Sequence, residues 1–332
     1  MMMASRGRAG RAARTINGLL MGFSNTMPAK VRIGTRGSDL ALWQARYVAG
    51  RIEALGVGAR IVVIRTGGDI DQRTPISQLG SKAIFIKELE DALLDRRIDL
   101  AVHSLKDLPA QLPDGLELAA VPARETPLDA WICPEGFTVE QAPQGIVVAS
   151  GSLRRSAQLL ALRPDLRIVP IRGNVPSRLK KLRRGEASAT ILAMAGLCRL
   201  GLEENATAAL DTGLMTPAMG QGALGVETRR GELADLASAI DDPAEHQAAR
   251  TERGFMRVLG GGCRTPAGIL VRPDGESWSI LAMLASADGR QLMRRAERVA
   301  PGGDPEAEAR KLAVAMLAEA PPQILETLER TA

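Results

Sequence analysis

The sequence predicts two α/β domains in tandem, followed by a smaller C-terminal α+β domain. Strand-like and helix-like segments alternate from residue 31 to about residue 102, and again from 145 to 193. From residue 243 onward, strand segments are instead grouped between helices. Alternation is the mark of a largely parallel sheet with helical crossovers, and grouping is the mark of an α+β unit.

The elements follow in order. Residues 31–34 make a short strand. Residues 40–55 make a helix, because Leu42, Ala45, Val48, Ala49, Ile52 and Leu55 fall on one face. Residues 60–65 form a β-branched strand, 82–96 a helix and 98–102 a buried strand. The second unit repeats the pattern with strands at 145–149, 167–171 and 189–193 and helices at 152–162 and 177–184. The join falls near 121–126, and no residue-level repeat relates the two units. A long helix at 243–259 leads into Gly260-Gly261-Gly262-Cys263. Strands at 268–271, 278–285 and 291–299 and a helix at 305–317 complete the chain. The polar segment 66–80 (TGGDIDQRTPISQLG) exceeds an ordinary connection. It fits either a lid over a cleft or a plain surface excursion.

Composition excludes several classes. The 332 residues are 45% hydrophobic and 24% charged, which is globular. Apolar runs are too short to span a membrane. The three cysteines, Cys133, Cys198 and Cys263, are widely spaced and form neither a disulfide framework nor a zinc pair. Only His103 and His246 are present, too few for a multi-histidine metal site. Net charge is +5, but Arg6, Arg8, Arg11 and Arg14 lie in a tail without acids, and the remaining 39 basic residues nearly balance 38 acidic ones. With aromatics at 2%, stacking platforms for bases are scarce, so nucleic acid is not an expected partner. Residues 1–27 fit a transit peptide on composition. An upstream start codon explains them better, because Met27-Pro28-Ala29-Lys30 leads directly into the first strand. Either way they stand outside the fold.

Some motifs fail on context. Gly220-Gln221-Gly222-Ala223-Leu224-Gly225 matches a dinucleotide turn literally, but Pro217 precedes it and strand residues Val226-Glu227-Thr228 follow it, where a helix is required. It reads as a glycine-rich hinge. Asp69-Ile70-Asp71 fails as a calcium loop because Arg73 occupies the fifth position.

The arginines carry more. Arg36 and Ser38 follow the first strand. Ser150, Ser152, Arg154 and Arg155 follow the strand at 145–149, Arg172 and Arg178 follow the next, and Arg199 follows 189–193. Ligands of open α/β sheets bind beyond strand ends, and helix N-termini there attract anions. Guanidinium forks suit carboxylate and phosphate. One such arginine is most simply a solvated helix end; six at equivalent positions point to an oligo-anionic ligand. Ser104, Lys106 and Asp107 end another buried strand. A carboxylate among so many cations is an acid/base candidate. His103 is placed in the core wall. A thiol after three glycines, Cys263, would be accessible and nucleophilic, or else a small buried residue; Cys133 and Cys198 are read as buried.

Several motifs in order resemble the porphobilinogen deaminase (hydroxymethylbilane synthase) family. They are Ile33-Gly34-Thr35-Arg36-Gly37-Ser38-Asp39-Leu40-Ala41-Leu42-Trp43-Gln44-Ala45, Phe85-Ile86-Lys87-Glu88-Leu89-Glu90, His103-Ser104-Leu105-Lys106-Asp107-Leu108-Pro109, Ser152-Leu153-Arg154-Arg155, Arg172-Gly173-Asn174-Val175 and Gly261-Gly262-Cys263. The resemblance runs from about residue 30 to the C-terminus. It implies a pair of periplasmic-binding-protein-like α/β domains, 28–122 with 221–241 and 123–220, and a third domain at 242–332. It further implies a dipyrromethane cofactor, thioether-linked to Cys263, on which four porphobilinogen molecules are joined with release of ammonia before water frees hydroxymethylbilane.

By the same resemblance Asp107 is the catalytic aspartate, whose carboxylate stabilises cationic charge and moves protons. Cys263, Lys106, Ser104, Arg154, Arg155, Ser150 and Ser152 hold the cofactor. Arg36, Ser38, Arg172, Arg178, Arg199, Lys82 and Phe85 meet the substrate, with Phe85 stacking on a pyrrole and Lys82 closing the lid. Each pyrrole carries an acetate and a propionate, which accounts for the arginines. The chain departs from the family at Gln78, where a lysine is usual, and at Ser81, where a glycine is usual, so the lid's hold on anions is weakened. A cytoplasmic monomer acting on a small molecule is expected, with no metal, nucleic acid or membrane partner. The alternative is a non-catalytic anion-binding protein of the periplasmic-binding type with a structural Cys263. The absence of a signal peptide and the cysteine-bearing third domain count against it.

Overall fold

A computed structural model of the chain describes residues 29–65, 86–262 and 265–331. The polar segment 66–80, read as a lid or a surface excursion, lies outside the described residues, as do Ser81, Lys82, Phe85 and Cys263.

The first α/β unit holds β1 (Lys30–Thr35), α1 (Asp39–Glu53), β2 (Gly58–Val63), α2 (Lys87–Leu94), β3 (Leu100–Ser104), a 3-10 turn at Leu105–Asp107 and β4 (Leu116–Ala120). The second holds β5 (Asp129–Ile132), β6 (Val147–Ala149), α3 (Leu153–Leu162), β7 (Arg167–Val169), α4 (Val175–Arg183), β8 (Ala189–Ala193), α5 (Met194–Leu200) and β9 (Ala208–Leu210). The chain then returns through β10 (Leu224–Arg229) and α6 (Ala234–Ile240). It ends with α7 (Pro243–Leu259), β11 (Ala267–Asp274), β12 (Ser277–Ala285), β13 (Leu292–Val299), α8 (Pro305–Glu319) and α9 (Pro322–Thr331).

The two larger sheets share one layout, β2-β1-β3-β10-β4 and β7-β6-β8-β5-β9. They are the cores of two α/β domains, as the alternation of strands and helices predicts. The expectation of largely parallel sheets needs one correction in each. β10 runs antiparallel to β3 and β4, and β5 runs antiparallel to β8 and β9. The physical reason is connectivity. Between β4 and β5, and between β9 and β10, the chain crosses from one sheet to the other without a helix, so β5 and β10 enter their new sheets at the end where the parallel strands finish.

Local chemistry starts the helices beside the strand ends. Ser38 caps α1 by accepting from the Ala41 amide at 3.3 Å. Ser152 caps α3 through the Arg155 amide, and Asn174 caps α4 through the Ser177 amide at 2.9 Å. Each satisfies a donor that the helix start leaves open. The face of α1 that packs on the sheet is Ala41, Ala45, Val48, Ala49 and Ile52, joined by one polar residue, Gln44.

The third domain lays a three-stranded antiparallel sheet, β11-β12-β13, against helices around Phe255, Ile269, Ile280, Ala313 and Ile324. α7 begins at an Asp242 cap and stops at Gly260, which takes a left-handed φ of 63°. Its Glu252, fully buried, accepts from the Gly220 amide at 2.6 Å and from the Val271 amide at 3.0 Å. α7 thereby fastens the third domain to the return crossing between the α/β domains.

Candidate active site

The site is built where strands end. β1 delivers Arg36 and Ser38, and β3 delivers Ser104 and, through the 3-10 turn, Lys106 and Asp107. Arg36, Ser38, Ser104 and Asp107 line one crevice with Gln44, His103 and Ile86. Gln44 Nε2 donates to Ser104 Oγ at 2.8 Å. Asp107 is exposed to that crevice, whereas His103 is buried and its Nε2 lies 3.0 Å from Glu227 Oε2. His103 is thus core wall, as the sequence suggested.

Cations of the second domain act electrostatically on the turn that follows β3. Burial, together with repulsion from Arg155, pushes the Lys106 ammonium down to about 8, although Asp107 and Asp129 attract it. Burial brings the Arg178 guanidinium down to about 10. Repulsion from Arg155 and Arg172 adds to this, and attraction to Asp107 opposes it. Residues of β3's turn and of α3 and α4 therefore feel one another across the two domains.

Arg154 and Arg155 do not stand as open forks. Both are buried against Asp129, which is fully buried: Arg154 Nη2 is 2.9 Å from Asp129 Oδ2, and Arg155 Nε and Nη2 donate to Asp129 Oδ1 at 2.9 Å and 2.7 Å. Arg154 Nη1 also donates to the Thr216 carbonyl and Arg155 Nη1 to the Ile191 carbonyl. The flanking guanidiniums hold the Asp129 carboxyl below the usual carboxylate range, against the effect of burial. Gln221 completes the cluster, donating to Asp129 Oδ1 at 3.0 Å and to the Pro127 carbonyl at 2.6 Å.

Arg172 differs. Its Nη1 is buried and has no hydrogen-bond partner among the described residues. Arg178 Nε donates to the Gly173 carbonyl at 2.8 Å. Ser150 is buried, and its Oγ accepts from the Ser152 amide. Arg199 sits apart from this group: its Nη2 donates to the Gly222 carbonyl at 2.6 Å and its guanidinium lies 5.7 Å over the Trp43 ring. Cys133 is buried and Cys198 partly so, and burial pushes the Cys198 thiol up.

Two residues of this site were not singled out from sequence. Gln44 was legible as a polar residue on the apolar face of a helix. Asp129 heads the otherwise apolar run Asp129-Ala130-Trp131-Ile132, and an acid there demands a buried cation. Among the described residues no group of His, Cys, Asp and Glu could hold a metal ion, and no helix is long and apolar enough to cross a membrane.

Comparison with known proteins decides the family. The family model described as "Porphobilinogen deaminase, dipyromethane cofactor binding domain" matches residues 31–236, and "Porphobilinogen deaminase, C-terminal domain" matches residues 246–318. The chain belongs to the porphobilinogen deaminase family. Curated relatives named porphobilinogen deaminase include that of Moorella thermoacetica, 42% identical over 90% of this chain and 97% of its own. Another is that of Desulforudis audaxviator, 45% identical over 88% and 95%. Among solved structures the methionine-binding protein MetQ aligns with 68% of this chain and 96% of its own at 14% identity and a TM-score of 0.41, too loose to bear on the ligand.

Porphobilinogen deaminases of this family model carry a dipyrromethane-binding domain, and the residues present suit such a group. It is polyanionic, and among the described residues Asp107 is the one acid lining the crevice, with Lys106 beside it and Arg178 acting on it from the second domain. The orphaned, buried Arg172 Nη1 is a donor that wants an oxyanion. Matches over both the α/β and the C-terminal regions leave the non-catalytic alternative unsupported.

Proposed function

We propose that this chain is a hydroxymethylbilane synthase, joining four porphobilinogen molecules head to tail with loss of ammonia and releasing the linear tetrapyrrole with water. One observation supports this above the others: Asp107, exposed in the crevice of the first domain, lies within the field of Arg178 from the second and of its neighbour Lys106. A carboxylate in the field of such cations suits a reaction whose substrate is an anion but whose transition state gains positive charge.

The residues divide that work. Arg172 and Arg178 hold acetate and propionate groups, with Arg36 and Ser38 meeting them from the opposite side. Departure of ammonia leaves porphobilinogen cationic, and the Asp107 carboxylate stabilises that charge and accepts a hydrogen bond from the pyrrole N–H. Ser104, fixed by Gln44, orients the ring beside it. Lys106 holds carboxylates of the cofactor. Arg154 and Arg155, tied to Asp129, act through their positive field and keep the floor of the site rigid. Arg199 braces the hinge at Gly222. Dipyrromethane, attached through Cys263, supplies the pyrrole on which the chain starts. In this reading the enzyme works as a cytoplasmic monomer, and Lys82 and Phe85 close over the substrate.

Mass spectrometry of the purified chain tests the proposal. An added two-pyrrole mass and a positive Ehrlich colour are expected, and Cys263→Ser should abolish both together with turnover. An unmodified, colourless protein that still condenses porphobilinogen would refute the role of Cys263, and no condensation at all by a correctly folded, cofactor-loaded chain would refute the activity.

A further inference from the structure

A second basic pocket lies away from the crevice, between the first and third domains. Its volume is about 390 Å³, within the range of small-molecule sites. Arg250, Arg253 and Arg257 project from one face of α7, Arg230 comes from the end of β10, and His246 lies a turn before Arg250. Ala110, Gln111 and Leu112 with Leu116 and Leu118 of β4 form the opposite, largely apolar wall.

The charge there is unbalanced. Among the described residues Glu306 is the one acid in the lining. It is shared among Arg257 at 2.8 Å, Arg250 at 3.4 Å and Arg310. Arg253 is only 5% exposed, and its Nη1 has no hydrogen-bond partner among the described residues. Burial and repulsion from Arg257 pull its guanidinium down to about 10, with Glu227 the acid that opposes this. His246 is occupied by Asp241 at 3.0 Å. A buried guanidinium left short of partners is costly unless an anion completes it. Arg250 and Arg257 are open to solvent and could close on such an anion from the rim.

We propose that this pocket binds a small anion with clustered oxygens, an organic phosphate or a polycarboxylate, whose apolar part rests on Leu112, Leu116 and Leu118. The site is separate from the porphobilinogen cleft. Its walls come from α7 and from the segment following Asp107, whereas the cleft uses α1, α3 and α4.

Calorimetric titration of the cofactor-loaded protein tests this, with inorganic pyrophosphate and citrate as probes, in parallel on the wild type and on Arg250→Ser/Arg257→Ser. Binding of either probe is expected. Pyrophosphate alone would assign the phosphate class, citrate alone the carboxylate class, and both would assign the shared oxyanion chemistry. The double variant should bind at least about tenfold more weakly, since each charge-assisted hydrogen bond is worth 1.5–3 kcal/mol and 1.4 kcal/mol is about tenfold. Its kcat and KM for porphobilinogen without the probe should match the wild type. Arg253→Met should weaken binding further; should that variant not fold, the two rim arginines decide alone. Absence of binding, equal binding by the double variant, or displacement of the probe by porphobilinogen would overturn the proposal. The readout is heat of binding, so it stands or falls independently of turnover.

Discussion

Glu252 and Arg124 form a two-pronged ion pair at 2.8 Å and 3.3 Å with both side chains buried. Arg124 lies on the outgoing crossing between the α/β domains, and its Nε donates to the Gln221 carbonyl on the return crossing. Glu252 also takes the Gly220 and Val271 amides, so one carboxylate joins both crossings to the third domain. Removing one partner of a buried pair leaves the other uncompensated, which costs about 3–5 kcal/mol. Glu252→Gln should therefore lower stability by that order in urea unfolding, and Arg124→Met in the same chain should recover part of the loss. An unchanged midpoint would mean the pair is not structural.

Much of this was legible in the sequence because period and capping are local. The face of α1 and the start of α3 at Ser152 follow from spacing, whereas the Asn174 cap, which starts α4 two residues before the predicted 177, does not. The antiparallel runs of β5 and β10 were not, because strand direction is set by partners distant in sequence. Nor was the state of Arg154 and Arg155. Their sequence context shows two forks at a helix start, but only the fold brings Asp129 between them. The contacts of Arg199 with Gly222 and Trp43 were not legible either, since both partners are far along the chain.

Gly222 should not tolerate a side chain. Its φ is +89°, and a Cβ would sit 2.3 Å from the Glu125 carbonyl oxygen and 2.8 Å from that of Thr126, both backbone atoms. Gly222→Ala should cost at least about 2 kcal/mol from strain and displacement together, measured by thermal unfolding. Because Gly222 also accepts from Arg199, turnover should fall as well. A fully stable variant would show that the crossings can separate freely.

Glu90 gives a pH signature. It is 7% exposed, and burial, with repulsion from Glu227, raises its carboxyl from 4.5 to about 7. Between those values the folded protein keeps a proton that the unfolded chain releases. Stability should therefore fall as pH rises through that window, by about 3 kcal/mol in all. Glu90→Gln should flatten the slope and stabilise the protein at pH 8. Identical pH profiles for variant and wild type would rule out Glu90 as the source.

Asp107→Asn keeps shape and removes charge. If Asp107 stabilises the cation formed on loss of ammonia, turnover should fall by about 10²–10⁴, while the bound cofactor mass and the KM change little. Loss of the cofactor in this variant would instead assign Asp107 to cofactor assembly.

Lys106 sets the alkaline limit of anion binding. Its ammonium is pushed down to about 8 by burial and by Arg155. As pH rises through that value the cleft loses a positive charge beside Asp107, so carboxylate binding weakens. Uptake of the polyanionic cofactor precursor by the cofactor-free protein should therefore weaken above pH 8. The stability effect has the opposite sign: from about 8 to 10.5 the unfolded chain holds a proton that the folded protein lacks, so folding strengthens with pH. Lys106→Arg keeps its charge throughout this range. It should flatten both limbs, whereas Lys106→Met should be insensitive to pH but bind weakly at every value. The same alkaline limb in Lys106→Arg as in the wild type would place the titration on another group.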